Sequence, residues 1–180
     1  MAGLVTNPPG CRMMMLKGSH TGAHLHTKEI SDALSAWRVS ERQWELTQPD
    51  DPGYRRAAIE VITAWLRYQE LTDPEPGVFV LVADEDHSFV AVGGGVKAAL
   101  DYDPADLLGR RVEDIASPEL AARVHGAWQR FLEDGRQDGE YQLMSRDGRS
   151  VELRFQARAH HPIPGFHTSR LWPADRDRPD

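Results

Sequence analysis

Histidines near the carboxyl end of the chain carry the side chains best suited to metal chemistry. His160, His161 and His167 stand close together, and a neutral imidazole nitrogen is a common ligand for zinc and related ions. Neighbouring residues on a strand point to opposite faces, so His160 and His161 can share one ion only if the chain bends, which Pro162 could supply. Exposed histidines at a sheet edge are the alternative, and we adopt it: the sequence predicts no metal site here.

A second group of imidazoles, His20, His24 and His26, could also converge on one ion. These residues stand in residues 1–27, a stretch with prolines and glycines and no apolar periodicity. We interpret this stretch as a flexible N-terminal tail. Because a flexible tail has no neighbouring groups to hold metal ligands in place, we predict no metal there either.

An enzyme would need a nucleophile beside a base, and Ser117, Ser169 or Asp84 could act with one of the histidines. No serine stands in the strand–turn–helix motif of a hydrolase. Ser117 precedes Pro118 and Glu119, which is the pattern of a helix N-cap. The sequence therefore predicts a protein that is not an enzyme, and a small enzyme is the second alternative.

Composition excludes several classes of partner. The net charge of −7 over 180 residues argues against binding to a nucleic-acid backbone, which needs clustered Lys and Arg. No run approaches the roughly 18 apolar residues of a membrane span. The single cysteine, Cys11, excludes an internal disulfide and fits a reducing compartment. We predict a soluble cytoplasmic protein that binds neither nucleic acid nor membrane.

Two helices form an N-terminal extension over residues 28–74. Prolines and a glycine in residues 48–53 separate them. The second helix carries a broad apolar stripe with a 4-3-4-3 spacing: Tyr54, Ala58, Val61, Trp65 and Tyr68. Such a stripe must pack on the first helix, on the domain that follows, or on a second copy of the chain. We predict a homodimer through these helices, with a cap over the domain as the alternative.

Short strands and helices alternate in the remainder of the chain. Ser117 starts the longest helix of this region, and Gly135 stands where such a helix ends. Asp147-Gly148 is a hairpin turn signal between two strands, the second of which alternates cleanly between apolar and polar residues. The pattern predicts an α+β domain with strands at residues 78–82, 89–92, 140–145, 150–160 and 166–172.

Three local motifs in this order resemble the PAS domain family. They are the acidic turn and strand of residues 83–92, the segment Asp101–Arg110, and Arg146-Asp147-Gly148 before the alternating strand. The resemblance covers residues 77–174 and leaves residues 175–180 as a charged tail. It implies a PAS-like antiparallel five-stranded sheet with flanking short helices and one longer helix, preceded by the two N-terminal helices.

The same resemblance implies a sensory or protein-interaction module in bacterial signal transduction or transcriptional regulation. Too few residues follow Trp172 for an effector domain, so we expect output through dimerisation or a signalling partner in trans. PAS-like domains bind small ligands between the long helix and the sheet. An apolar pocket is therefore expected where five residues converge, with a filled core as the alternative: Trp128, Phe131, Tyr141, Leu143 and Phe155.

A heme-binding gas or redox sensor is the first alternative function. Heme-binding relatives hold the iron through a histidine on the long helix, and His125 stands on that helix. At about 100° per residue, His125 lies at the edge of the helix's apolar face rather than at its centre. Cys11 is far from the domain, so flavin photochemistry is not expected. No cofactor is favoured.

Overall fold

The computed structural model describes residues 20–75 and 77–175. Two helices come first, α1 (His20–Glu45) and α2 (Tyr54–Thr72). Helix α1 begins at His20, inside the stretch that the sequence assigned to the tail. The rest of that predicted tail, residues 1–19, and all but the first residue of the charged tail at 175–180 lie outside the described residues.

The domain that follows has the predicted α+β architecture. Its five strands form one antiparallel sheet in the order β2-β1-β5-β4-β3, with helices between β2 and β3. A 3-10 helix at Val112–Asp114 precedes the longest helix of the domain. The elements are β1 (Phe79–Asp84), β2 (Phe89–Val92), α3 (Val96–Leu100), α4 (Pro104–Leu107), α5 (Pro118–Asp134), β3 (Arg136–Met144), β4 (Ser150–Arg158) and β5 (Phe166–Pro173).

Helix α5 is bounded by the two residues that the sequence indicated. The Ser117 hydroxyl accepts a hydrogen bond from the Leu120 backbone N–H at 3.3 Å, as an N-cap does. Gly135 ends the helix with a φ of 74°, a left-handed conformation that glycine adopts without steric cost. Strand β3 begins directly after it, earlier than residue 140, so α5 and β3 are joined by a tight turn.

The sheet has a covered apolar face on each side. One face packs under α3, α4 and α5 and contains the larger core, with Leu100, Leu107, Phe131, Leu153 and Leu171 buried in it. The other face packs against α2 and forms a second core from Val82, Val90, Ala91, Ile163 and Phe166. Alternate residues of β1 serve alternate cores, with Leu81 in the larger core and Val82 in the second. Strand β5 also contributes to both, through Leu171 and Phe166.

The stripe on α2 is used within the chain, which corrects the predicted dimer face. Three of its residues are buried against the sheet side of the helix at 0%, 1% and 8% exposure: Ala58, Val61 and Trp65. Tyr54 and Tyr68 contact Trp44 and Trp37 of α1, with ring centroids 6.0 and 5.4 Å apart. A face covered by the sheet and by α1 is not free to contact a second copy, so α2 has the alternative role of a cap.

Polar contacts fix both ends of α2 to the domain. At its start, Arg55 donates to the buried carboxylate of Asp84 at 2.5 Å. Near its end, Glu70 accepts from the Gly94 backbone N–H at 2.6 Å. Arg170 on β5 pairs with Asp73 at 3.4 Å, just after the helix. The helix is thus held on the sheet by a buried core and by three polar contacts.

Candidate ligand-binding cavity

A small cavity of about 50 Å³ lies between α5 and the sheet. Most of its wall is apolar and comes from the strands and α5, including Leu81, Val124, Trp128, Phe131, Leu143 and Leu171. Four other wall residues carry polar atoms: Gln137, Tyr141, His167 and Ser169. The described residues on the wall include no Asp, Glu, Lys or Arg. The site is therefore apolar with a few polar groups, as small-molecule sites commonly are.

Four of the five residues proposed for the pocket line this cavity: Trp128, Phe131, Tyr141 and Leu143. Phe155 does not. It lies buried behind Tyr141, with the two rings stacked 3.6 Å apart and 5° from parallel. Phe155 therefore supports the wall rather than forming it. That these residues bind a ligand remains a prediction.

His167 is a wall residue that the pocket prediction did not include. It is 2% exposed, and its Nδ1 accepts a hydrogen bond from the His160 backbone N–H at 3.2 Å. The pKa of His167 is lowered to about 4, mainly by burial and also by His160 and His87, while Asp84 acts in the opposite direction. The ring is neutral at pH 7, and because Nδ1 accepts, the proton is on Nε2.

The Nε2–H group of His167 is buried and has no hydrogen-bond partner among the protein's described atoms. The indole Nε1–H of Trp128 is also buried and also has no hydrogen-bond partner among the described atoms. The two rings meet edge to face, with centroids 5.1 Å apart and planes at 81°. Two adjacent side chains of the cavity wall therefore each carry an N–H donor without a protein acceptor.

Tyr141 is another wall residue with a polar group, a phenol hydroxyl. Burial raises the pKa of its phenol to about 12, so the group is neutral at physiological pH. With His167 also neutral, the wall carries no net charge at pH 7. An uncharged cavity of this kind disfavours an ionic ligand, because a buried charge without a partner is costly.

His87, which is paired with Glu113, packs against the ring of Trp128. The His87 ring lies 4.4 Å from the Trp128 ring, centroid to centroid, and its Nδ1 is 2.7 Å from Glu113 Oε1. His87 has a φ of 64°, a conformation that glycine adopts most readily. His87 is buried and Glu113 is partly exposed, and the imidazole packs against the indole and restricts its position.

His125 does not fit the role of a heme ligand. It is exposed on α5, does not line the cavity, and its Nε2 is 3.3 Å from the side-chain nitrogen of Gln129. Pockets for drug-sized ligands enclose about 300–1,000 Å³, several times the 50 Å³ present here, and heme is no smaller than such ligands. The residues present do not fit this cofactor, and the heme alternative is corrected on these grounds.

The three C-terminal histidines are divided between the two faces of the sheet. His160 contacts His167 on the cavity side, with ring centroids 5.1 Å apart. His161 contacts Trp65 of α2 on the other side, at 5.3 Å. Among the described residues no group of three or more His, Cys, Asp or Glu is arranged to hold a metal ion. His20 and His24 lie outside the side chains that the structure describes.

The groups proposed for an enzyme have structural roles or stand apart. Ser117 caps α5, and Asp84 accepts from the backbone N–H groups of Asp86 and Ser88 at 3.0 Å as well as from Arg55. Ser169 lies on the cavity wall, on the same strand face as His167. Of the three, Ser169 is the one that lines the cavity.

A larger groove of about 230 Å³ lies on the other face of the sheet, between α2 and β5. Charged residues line it, among them Glu70, Asp73, Arg158 and Arg170. Asp73 and Arg170 already pair with each other across it. The groove is a polar seam between α2 and the domain, distinct in chemistry from the cavity under α5.

Comparison with known proteins gives one family model and similar solved structures of the same fold. A family model described as PAS fold matches residues 76–164. A PAS domain of a protein from Colwellia psychrerythraea is similar in structure, with 13% identity, a TM-score of 0.48, and coverage of 53% of this chain and 85% of that one. The PAS domain, in complex with ethanol, of a LuxR-family transcriptional regulator from Burkholderia thailandensis is also similar in structure. It has 14% identity, a TM-score of 0.48, and coverage of 55% of this chain and 90% of that one.

No curated protein sequence matches the chain. None of the helices in residues 20–75 and 77–175 is long and apolar enough to cross a membrane.

Proposed function

Since residues 76–164 belong to the PAS-fold family, we propose that this chain is a cytoplasmic sensory module of bacterial signal transduction or transcriptional regulation that binds a small, largely apolar ligand. The cavity under α5 is the observation that supports this proposal. It stands between the longest helix of the domain and the sheet, and an uncharged, mainly apolar wall encloses it. The ligand's burial there supplies the binding energy, since removing apolar surface from water stabilises a complex.

The size of the cavity limits the ligand. One water molecule needs about 10–15 Å³ measured in the same way, so 50 Å³ accommodates a few heavy atoms. The best small ligands gain at most about 1.5 kcal/mol per heavy atom. A ligand of about five heavy atoms therefore binds no more tightly than micromolar. The module senses a compound present at micromolar to millimolar concentration.

Strand β5 connects the cavity to the N-terminal helices. Ser169 and His167 face the cavity, while Thr168 and Arg170 on the same strand line the groove beside α2. A ligand that shifts β5 changes the contact between Arg170 and Asp73. The output is then a change in the position of α1 and α2 relative to the sheet.

A binding partner then responds to the changed position of the N-terminal helices. We propose a second copy of this chain or a signalling protein in trans, in contact with the outer surface of α1. Two large apolar side chains are exposed on and just after that helix, Val39 at 66% and Leu46 at 78%. Dimerisation is tested by light scattering on the full chain, with Val39→Lys as the variant that should lower the dimer fraction.

Xenon is a direct probe of the cavity because it is small, apolar and forms no hydrogen bonds. In the full chain, we expect methyl chemical shifts of Leu81, Val124 and Leu143 to change as xenon pressure rises. The variant Ala157→Leu fills the cavity from β4, where Ala157 is 5% exposed, and should abolish these shifts while its circular dichroism stays native. Unchanged methyl shifts in the wild type would refute a ligand cavity under α5.

A further inference from the structure

The two donors on the cavity wall are the polar groups that the fold leaves unused. His167 is 2% exposed and its Nε2–H has no protein acceptor; the same is true of Trp128 Nε1–H. Native proteins pair the great majority of buried N–H groups. A buried donor without an acceptor lowers stability, because it loses its hydrogen bond to water and gains none in return. Two such donors side by side in a cavity therefore require an explanation beyond packing.

Neighbouring residues fix the orientation of both donor rings. The His160 backbone N–H occupies Nδ1 of His167, so the ring cannot turn over without losing that hydrogen bond. The Trp128 ring is held between His167, at 5.1 Å, and His87, at 4.4 Å. His87 is itself paired with Glu113. Both donors are thus oriented before any ligand arrives, which reduces the entropy lost on binding.

We propose that the ligand of this cavity is a small neutral molecule with an apolar body and one oxygen acceptor, a ketone, aldehyde or ester carbonyl, that accepts hydrogen bonds from His167 Nε2–H and Trp128 Nε1–H. This rests on the proposed function and specifies the ligand class for the same site. A carbonyl oxygen has two acceptor lone pairs and so can satisfy both donors at once. The remaining wall is apolar and suits a hydrocarbon body.

The uncharged wall disfavours ligands whose acceptor carries a charge. A carboxylate would bring a negative charge into a cavity whose described wall residues include no Lys or Arg. A ligand with only donor groups would face two donors and gain nothing from them. A hydrocarbon would leave both donors unpaired, and a site with unpaired polar groups discriminates against such an analogue.

The two rings offer one competing explanation. An N–H group that points at an aromatic face gains a weak interaction, and His167 and Trp128 meet edge to face. Phe131 also meets both rings edge to face, with its centroid 5.8 Å from that of His167 and 5.6 Å from that of Trp128, so aromatic faces are available to both donors. Such a contact is weaker than a hydrogen bond to an oxygen acceptor. A comparison of ligands with and without an acceptor separates the two explanations.

Acetone and isobutene are matched probes for this comparison. They share a four-atom skeleton and differ in having a carbonyl oxygen or a methylene group at the same position. Both are titrated into the full chain and followed by methyl and indole N–H resonances. The indole signal of Trp128, assigned with Trp128→Phe, should shift with acetone and stay in place with isobutene.

The variant His167→Phe removes the donor and keeps a planar ring of similar size. Because a neutral hydrogen bond contributes a modest net free energy, we expect acetone to bind about three- to tenfold more weakly and isobutene to bind as in the wild type. The matched control is His125→Gln, an exposed histidine on α5 outside the cavity, which should change neither affinity.

Each outcome decides between the explanations. Loss of acetone affinity in His167→Phe with isobutene unchanged supports the proposal. Binding of both probes with a ratio that His167→Phe leaves unaltered, and no indole shift with acetone, overturns it while the ligand cavity itself stands. If neither probe binds and xenon also leaves the methyl shifts unchanged, the proposed function fails together with this inference.

Discussion

At the scale of single residues, the chemistry of the site depends on His167 being buried and neutral. The side chain is placed by the pairing of β5 with β1, in which His167 stands opposite Ala83 and Ser169 opposite Leu81. All four residues line the cavity, and Ala83 and Leu81 have no polar side-chain atom. His167 and Ser169 are therefore the polar side chains that β1 and β5 contribute to the cavity.

The depressed pKa of His167 predicts how stability changes with pH. The pKa of this imidazole is about 4 in the folded protein and 6.5 in the unfolded chain. Between these pH values the unfolded state therefore binds a proton that the folded state does not. The free energy of unfolding should therefore fall as the pH is lowered from 6.5 toward 4. Above pH 6.5 the imidazole is neutral in both states, so it causes no further change in stability with pH. Urea unfolding at several pH values should show a smaller fall in His167→Gln than in the wild type.

Carboxylates titrate in the same pH range in both proteins, so only the difference between wild type and variant reports on His167. Equal pH dependence in the two proteins would mean that the imidazole is not held neutral by burial. A steeper dependence in the variant would contradict the direction of the pKa shift.

Sequence patterns identified four cavity residues because helical and strand periodicity place apolar side chains on the inner face. They did not identify His167. A histidine near two others and two prolines gives the same pattern at an exposed sheet edge, and its burial depends on which strand pairs with β5. Strand pairing between β1 and β5 is a contact between distant parts of the chain that local periodicity does not specify.

At the scale of elements, the hairpin between β1 and β2 is organised by Asp84. Its carboxylate accepts from the Asp86 and Ser88 backbone N–H groups within the turn and from Arg55 of α2. One side chain therefore sets the turn and docks the start of the capping helix. The sequence indicated Asp84 as part of an acidic turn and as a candidate enzyme group. Its structural role was not predicted, since the partner on α2 is far away along the chain.

The variant Asp84→Ala should lower the free energy of unfolding by about 2 kcal/mol, because two backbone donors and a guanidinium lose their acceptor. Glu85→Ala is the matched control in the same turn. Glu85 is exposed, and its removal should change stability by less than about 0.5 kcal/mol. Urea unfolding followed by tryptophan fluorescence measures both. Equal effects of the two substitutions would show that the Asp84 contacts do not hold the turn.

At the scale of the whole molecule, α2 completes the fold rather than extending it. The family match begins at residue 76, yet the second core lies between the sheet and residues of α2 such as Val61 and Ile62, at 1% and 0% exposure. The amphipathic pattern predicted that this face would be covered. It could not identify the covering surface, because a sheet, a helix and a second copy all present similar apolar side chains.

A variant lacking residues 1–74 should therefore be insoluble or partly unfolded, since it exposes the sheet face formed by Val82, Val90 and Phe166. Circular dichroism and light scattering of this variant would show lost cooperativity or aggregation. A second variant lacking only residues 1–19, which leaves both helices in place, is the control and should fold as the full chain does. A stable monomeric domain from residue 75 onward would contradict the capping role of α2.

The ligand cavity under α5 is the central claim, and intermolecular nuclear Overhauser effects test it most directly. The full chain is saturated with acetone, and contacts are recorded between the acetone methyl protons and protein side chains. We predict contacts with Phe131 and Leu143, and none with Trp65 or His161 in the groove beside α2. Contacts confined to that groove, or no contacts with the cavity wall at saturating acetone, would contradict the claim.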